Sequence, residues 1–249
     1  MGLRLHVDLA FALAAGQEVE LPPGPARHVQ VLRLQPGELL TVFDGRGGEW
    51  QAEILQMGRQ AVRLRLQDFD PVDRELSRHI TLAVCMPAND RFEWLVEKAT
   101  ELGVAAIQPL MSERSVLRLA GERAEKKVQH WRGVAAAAAE QSGRTRVPEI
   151  APVAELRHWL AGVSPPPETG RYVLSLLPDQ LLSQWLAGQP GQGPAPRCLL
   201  LSGPEGGLSP AEEAAAIARG HVPLNLGPRV LRADTAPLAA LAVLAALPD

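Results

Sequence analysis

Along the first seventy residues, apolar and polar positions trade places in short runs broken by turn residues. The runs Val29–Leu34, Leu39–Phe43, Trp50–Leu55 and Ala61–Leu66 predict strands. Pro36-Gly37, Asp44-Gly45-Arg46-Gly47-Gly48 and Gly58 predict the turns between them. Strict alternation in Val62-Arg63-Leu64-Arg65-Leu66 sets both arginines on the face opposite the leucines, a face that is either solvated or an RNA-binding surface, with solvation favoured. Short strands at this spacing predict a small β-barrel over residues 1–70.

A charged, proline-bearing stretch, 68–74, then acts as a linker, and the pattern changes. His79–Met86 is a continuous apolar run, the mark of a strand buried on both faces. Phe92, Leu95, Val96, Ala99 and Leu102 recur at helical spacing and predict a helix over 90–102, capped by Asn89 and closed by Gly103. A strand follows at 104–110, then a long helix at 122–141 with Trp131, Val134 and Ala138 on one face, ended by Gly143. Further along come a proline loop at 164–167, a strand at 172–177, a short helix at 179–187 and a loop at 188–196. Apolar runs at 199–201 and 222–226 each lead into a glycine-bearing loop and a helix. The last helix starts near Asp234 or Thr235, either of which can cap it. This alternation predicts an α/β domain over 74–249: a mostly parallel sheet with helices on both faces.

Composition bounds the function classes. The 249 residues are 46% hydrophobic and 21% charged, ordinary for a globular protein. No apolar run approaches the ~20 residues that span a bilayer. The first residues include Asp8 and do not form a secretion signal, so a cytoplasmic location is expected. Cys85 and Cys198 sit inside apolar runs and read as buried, reduced thiols. None of the six histidines has metal-ligand spacing, so no metal is expected. A net charge of −3 does not advertise a nucleic-acid partner.

The chemistry-bearing features cluster toward the carboxyl end. Ser202-Gly203-Pro204-Glu205-Gly206-Gly207 lacks the Lys-Ser/Thr of a phosphate-binding P-loop. It runs into Ser209-Pro210-Ala211-Glu212, a capping box that fixes the loop to a helix. Glu205 has the look of a buried carboxylate. A second loop, Leu226–Arg232, sets Arg229 and Arg232 beside Gly227. Polar clusters also stand at Glu140-Gln141-Ser142-Gly143-Arg144 and Arg114-Ser115. Taken alone, each is as compatible with a turn or cap as with a site.

In this order the pieces resemble one family. The matching runs are Arg27-His28-Val29…Val31-Leu32-Arg33, Glu97–Val104, Ser112-Glu113-Arg114-Ser115, Ala139–Arg144, Gly203–Ser209 and Leu226–Arg232. From about residue 27 to its end, the chain resembles the RsmE family of ribosomal RNA methyltransferases, within the trefoil-knotted SPOUT superfamily. The resemblance implies methylation of N3 of a uridine in small-subunit (16S) ribosomal RNA, with S-adenosylmethionine as donor. It also implies a PUA-like RNA-binding barrel at 1–70, a knotted methyltransferase domain at 74–249, and a homodimer. Leu201, Gly203, Glu205, Gly206, Gly207, Leu226, Gly227 and Leu231 are then expected around the cofactor. Arg232, Arg114, Glu140 and Gln141 are expected at the reacting groups, and Arg27, His28, Arg33 and Arg144 against RNA. Two positions depart from the family pattern: Ala88 stands near a usual lysine, and Ala233-Asp234 replaces threonine-glutamate. The rival expectations are a SPOUT enzyme with another RNA target, or an RNA-binding protein that has lost catalysis.

Overall fold

A computed structural model describes residues 2–59, 61–88, 91–176, 182 and 195–247. The chain divides into two units, Met1–Glu75 with Ala136–Val147, and Leu76–Ala135 with Pro148–Asp249.

The first unit is built on a five-stranded sheet. Its strands are β1 (Arg4–His6), β2 (Glu18–Glu20), β3 (Leu39–Phe43), β4 (Glu49–Met57) and β5 (Val62–Asp70), in the order β1-β3-β4-β5-β2. Only β1 and β3 run parallel. The alternation in β5 is realised: Val62, Leu64 and Leu66 are buried, while Arg63 and Arg65 are exposed. Arg65 lies 3.2 Å from Glu18 and Arg63 lies 3.8 Å from Glu20 on the neighbouring β2, which fits a solvated face. Residues 68–70, read as linker, continue β5.

The run 29–34 is not a strand. Helix α1 spans Pro23–Val31, with Ala26 and Val29 buried and Val31 and Leu32 exposed. The alternation of valine and leucine there fits either period over so short a run. Proline at the helix start, with its backbone angle pre-set, and burial at three-residue spacing decide for the helix.

The 136–147 segment is tied to this sheet by arginines. Arg144 is 4% exposed, its Nε donating to both oxygens of Glu75 at 3.1 and 3.0 Å. Arg74 grips Glu49 through two bonds of 3.1 Å and also donates to the Gly143 carbonyl at 3.0 Å. Arg4 pairs with Glu49 as well and donates to the Arg144 carbonyl at 3.0 Å. Burial pushes the Glu49 carboxyl up, but the bonds from Arg74 and Arg4 outweigh it and hold it below the usual range.

The second unit holds a seven-stranded, all-parallel sheet. Its strands are β6 (His79–Cys85), β7 (Ala106–Met111), β8 (Glu149–Ile150), β9 (Ala154–Glu155), β10 (Thr169–Leu174), β11 (Arg197–Ser202) and β12 (Val222–Leu224). They run in the order β12-β10-β11-β6-β7-β8, with β9 also on β7. The helices are α2 (Arg91–Glu101), α3 (Gly121–Ser142), α4 (Leu156–Gly162), α5 (Pro210–Ala218) and α6 (Thr235–Ala245). The apolar stripe of α2 buries Phe92, Leu95, Val96 and Ala99, and Phe92 meets Trp131 of α3 edge-on at 4.4 Å. Gly103 ends α2 at φ +89°, and a Cβ there would lie 2.8 Å from Leu76. None of the described helices is long and apolar enough to cross a membrane.

Several boundaries shift. Strand β10 begins three residues before the expected 172, in register with β11, and β12 stops at Leu224. Helix α4 carries too short a pattern, Leu156 and Leu160, to stand out in sequence. Asp234 precedes α6 without a capping bond from its side chain. Instead the Arg232 carbonyl accepts from Thr235 and Ala236, at 3.0 and 2.9 Å, and winds the turn into the helix. The Asn89 cap, all of the helix at 179–187 except Leu182, and most of the 188–196 loop lie outside the described residues.

Candidate functional site

Strands β10, β11 and β12 end side by side, with Val173 opposite Leu201 and Leu174 opposite Leu224. The three loops that leave them enclose a cavity of about 320 Å³. Its walls are Leu174–Leu176 after β10, Ser202–Glu205 with Gly207 and Leu208 after β11, and Leu224–Gly227 with Arg229–Ala233 after β12. Arg91 of α2 and Ala236 of α6 complete it. A cleft at the carboxyl ends of parallel strands is the recurrent ligand position in α/β sheets.

Glycine is required at two of these wall positions. Gly207 has φ +66° and Gly227 φ +106°, backbone states that side chains with a Cβ rarely adopt. The turn at Gly227 is set by Asn225, whose Oδ1 accepts from the Gly227 N–H at 2.7 Å. Leu208, Leu226 and Leu231 make apolar walls beside the polar Ser175, Ser202 and Asn225. Such a lining suits an adenosine-type ligand held by backbone groups.

Most of the residues expected around the cofactor line this cavity, Gly203, Glu205, Gly207, Leu226, Gly227 and Leu231, together with Arg232, expected at the reacting groups. Leu201 is fully buried beneath the cavity, packed with Ala83 and Val173. Gly206 faces away, toward Arg114: a Cβ on it would lie 3.3 Å from that side chain. Glu205 is exposed, not buried as its surroundings in sequence suggest. Its Oε1 accepts from the Ala88 N–H at 2.9 Å, tying this loop to the end of β6.

Arg114 holds the same loop from the other side. Its Nη1 donates to the carbonyls of Gly206 at 2.8 Å and Leu208 at 3.3 Å. Arg114 itself stands on a short turn, Ser112–Ser115, closed by Ser112 N–H donating to Ser115 Oγ at 3.0 Å. Beneath lies Glu212, 1% exposed. One of its oxygens accepts from Glu113 N–H at 2.8 Å, and the other accepts from Ser209 N–H at 2.9 Å, half of the predicted capping box. The carboxylate therefore joins the β7 turn to the start of α5. The sequence shows Glu212 as a cap and gives no sign of this second partner.

Arg91, Arg229 and Arg232 all reach the cavity wall. Sequence reasoning passed over Arg91, whose signal was only a cation at the start of a helix. The other expected site residues belong to the first unit. Glu140 accepts from the His6 N–H at 2.6 Å, Gln141 is exposed, and Arg144 is engaged by Glu75. Arg27 and His28 are exposed on α1, next to Val31 (70% exposed) and Leu32 (49%). Arg33 follows at φ +57°.

Comparison with known proteins defines the class. Residues 74–245 match the RNA methyltransferase domain family, and residues 26–67 match the PUA domain of RNA methyltransferases. The ribosomal RNA small subunit methyltransferase E of Synechocystis sp. is 35% identical over 220 residues, 88% of this chain and 69% of that protein. The protein of the same name from Bacillus subtilis is 31% identical, over 87% of this chain and 84% of its own. A ribosomal RNA small subunit methyltransferase E from Neisseria gonorrhoeae, crystallised with S-adenosylmethionine, matches with a TM-score of 0.88 at 35% identity, covering 98% of this chain and 97% of that one. This chain belongs to the ribosomal RNA small subunit methyltransferase E family.

Proposed function

We propose that this chain uses S-adenosylmethionine to methylate N3 of a uridine in the 16S RNA of the small ribosomal subunit. The observation that carries the reading is the cavity between the 202–208 and 225–233 loops, with glycine where backbone must meet ligand and leucine where a base must lie. Its size falls at the small end of ligand sites, roughly 300–1,000 Å³. When bound, the cofactor supplies an electrophilic methyl group. Leu226, Leu231 and Leu208 would flank its adenine, with Gly203, Gly207 and Gly227 giving close backbone approach.

The protein's task is to make uracil N3 a nucleophile and to hold it in line. Among the described residues, no group accepts from the Arg232 guanidinium, which leaves it available for a substrate oxygen. Placed beside O2 or O4 of the flipped base, it favours the deprotonated ring and stabilises the charge that develops. Arg114 acts one step back, by fixing the loop at the Gly206 and Leu208 carbonyls. Glu205 does likewise through Ala88, which leaves Glu140 the better candidate for receiving the N3 proton. Glu140 and Gln141 would reach the reacting groups in a homodimer that joins one protomer's cavity to the partner's helix end. The knotted path expected of the family would pass through the loops around β12. Arg27 and His28 on α1, with Arg33 just after it, would bind the RNA backbone beside exposed Val31 and Leu32, in the cytoplasm where the subunit is assembled.

The test has two parts. Titration calorimetry with S-adenosylmethionine must show stoichiometric binding. Mass spectrometry of ribosomal RNA from a deletion strain must show one 3-methyluridine lost and restored by the intact gene. Persistence of that nucleoside in the deletion strain would overturn the target assignment.

A further inference from the structure

The cavity carries more positive charge than its cofactor can use. Its charged walls are Arg91, Arg229 and Arg232 against one carboxylate, Glu205. Glu205 already accepts from the Ala88 N–H. S-adenosylmethionine is itself a net cation, with a sulfonium and an ammonium against one carboxylate. Three guanidinium groups around such a ligand are repulsive on balance unless an anion arrives with it. Arg232 has work at the base. Arg91 and Arg229 have none, and among the described residues no acceptor engages either guanidinium.

Arg91 and Arg229 come from different elements. Arg91 opens α2, while Arg229 lies two residues beyond the Gly227 turn. The position of Arg91 is built rather than incidental. The chain leading into α2 is held at Ala88 by Glu205, from a loop that also lines the cavity.

We infer that Arg91 and Arg229 form a clamp for the phosphates flanking the target uridine. Resting on the proposed function above, this assigns the second substrate's backbone to two residues at the cofactor cavity. Each guanidinium takes one phosphate, bidentately where geometry allows. The base entering between them is carried to Arg232. The clamp also makes cofactor and RNA binding favour one another, because the cationic cofactor and the anionic phosphates attract each other across the cavity.

The experiment measures binding of an RNA oligonucleotide that the parent protein methylates, as a function of salt, alongside cofactor affinity by calorimetry. Arg91→Gln and Arg229→Gln should each weaken RNA binding by about tenfold. Each should also lower the slope of log affinity against log salt by about 0.7, and the double variant by about twice that. Arg91→Lys should recover most of the slope, since a point charge still releases a counterion. Cofactor affinity should hold or rise, since each variant removes a guanidinium that repels the cofactor's net positive charge, and retained binding also shows that each variant is folded. An unchanged salt slope in the double variant would overturn the clamp. So would a large loss of cofactor affinity in Arg91→Gln, which would place Arg91 on the cofactor's carboxylate instead. A parent protein that binds no S-adenosylmethionine would be a failure of the proposed function, and is read from the first titration alone.

Discussion

Replacing Glu212 by alanine tests the internal logic of the site. The carboxylate is 1% exposed and satisfies two backbone donors, Glu113 N–H at 2.8 Å and Ser209 N–H at 2.9 Å. Alanine leaves both donors without an acceptor. The Ser209 donor is buried and the Glu113 donor partly so. A buried unsatisfied N–H costs about 1–3 kcal/mol. Two of them cost roughly 3–4 kcal/mol, and release of the buried carboxylate's own desolvation offsets part. A net loss of about 2–3 kcal/mol is expected, a large share of the ~5–15 kcal/mol that holds a typical domain folded. Glu212→Gln keeps one acceptor oxygen but turns an amide N–H toward the other donor, so about half the loss is expected. Equilibrium urea denaturation measures this, with the slope in denaturant unchanged if only the folded state is affected. Because α5 anchors the 203–208 loop, cofactor affinity should fall in the same order, alanine below glutamine below parent. Alanine and glutamine variants both within about 0.5 kcal/mol of the parent would show that these two contacts do not hold the site together.

Arg232→Ala should lower turnover by about 10²–10³-fold, the loss typical for removing one donor to a developing charge, with cofactor affinity nearly unchanged. Arg114→Ala should show the reverse weighting, with cofactor affinity down about three- to tenfold as the Gly206 and Leu208 carbonyls are released. Single-turnover kinetics with separate cofactor titration distinguishes the two, and equal losses in both variants would contradict the division of roles. Burial holds the His221 imidazole below its usual 6.5, with a bond to the Ala216 carbonyl opposing and Arg171 assisting. The folded state therefore binds this proton less readily than the unfolded chain, so stability is full above about pH 6.5 and declines as pH falls below it. His221→Asn should flatten that decline in urea melts taken across the range. Burial pushes Cys85 up to about 12 and Cys198 to about 11, so both thiols stay neutral at pH 8. A disulfide reagent should label neither until the protein unfolds, and fast labelling of the folded protein would reveal an opening of the sheet.

The sequence by itself determined what depends on neighbours along the chain. The stripe of α2, the buried runs of β6 and β11, the Ser209–Glu212 box and the glycines at 207 and 227 were legible because period, capping and positive φ are local constraints. Tertiary structure decided the rest. Val29–Leu34 fits either period over six residues, and burial of Ala26 and Val29 against the sheet, with proline at the start, makes Pro23–Val31 a helix. Arg144 read as an RNA contact until Glu75, far back in the chain, buried it. Arg91 became a cavity residue because the strand order β12-β10-β11-β6 gathers loops distant in sequence at one sheet edge. The bonds that fix this site, Ala88 to Glu205 and Glu113 to Glu212, span 117 and 99 residues. No local pattern encodes such partners, since the sheet chooses them when its strands take their places.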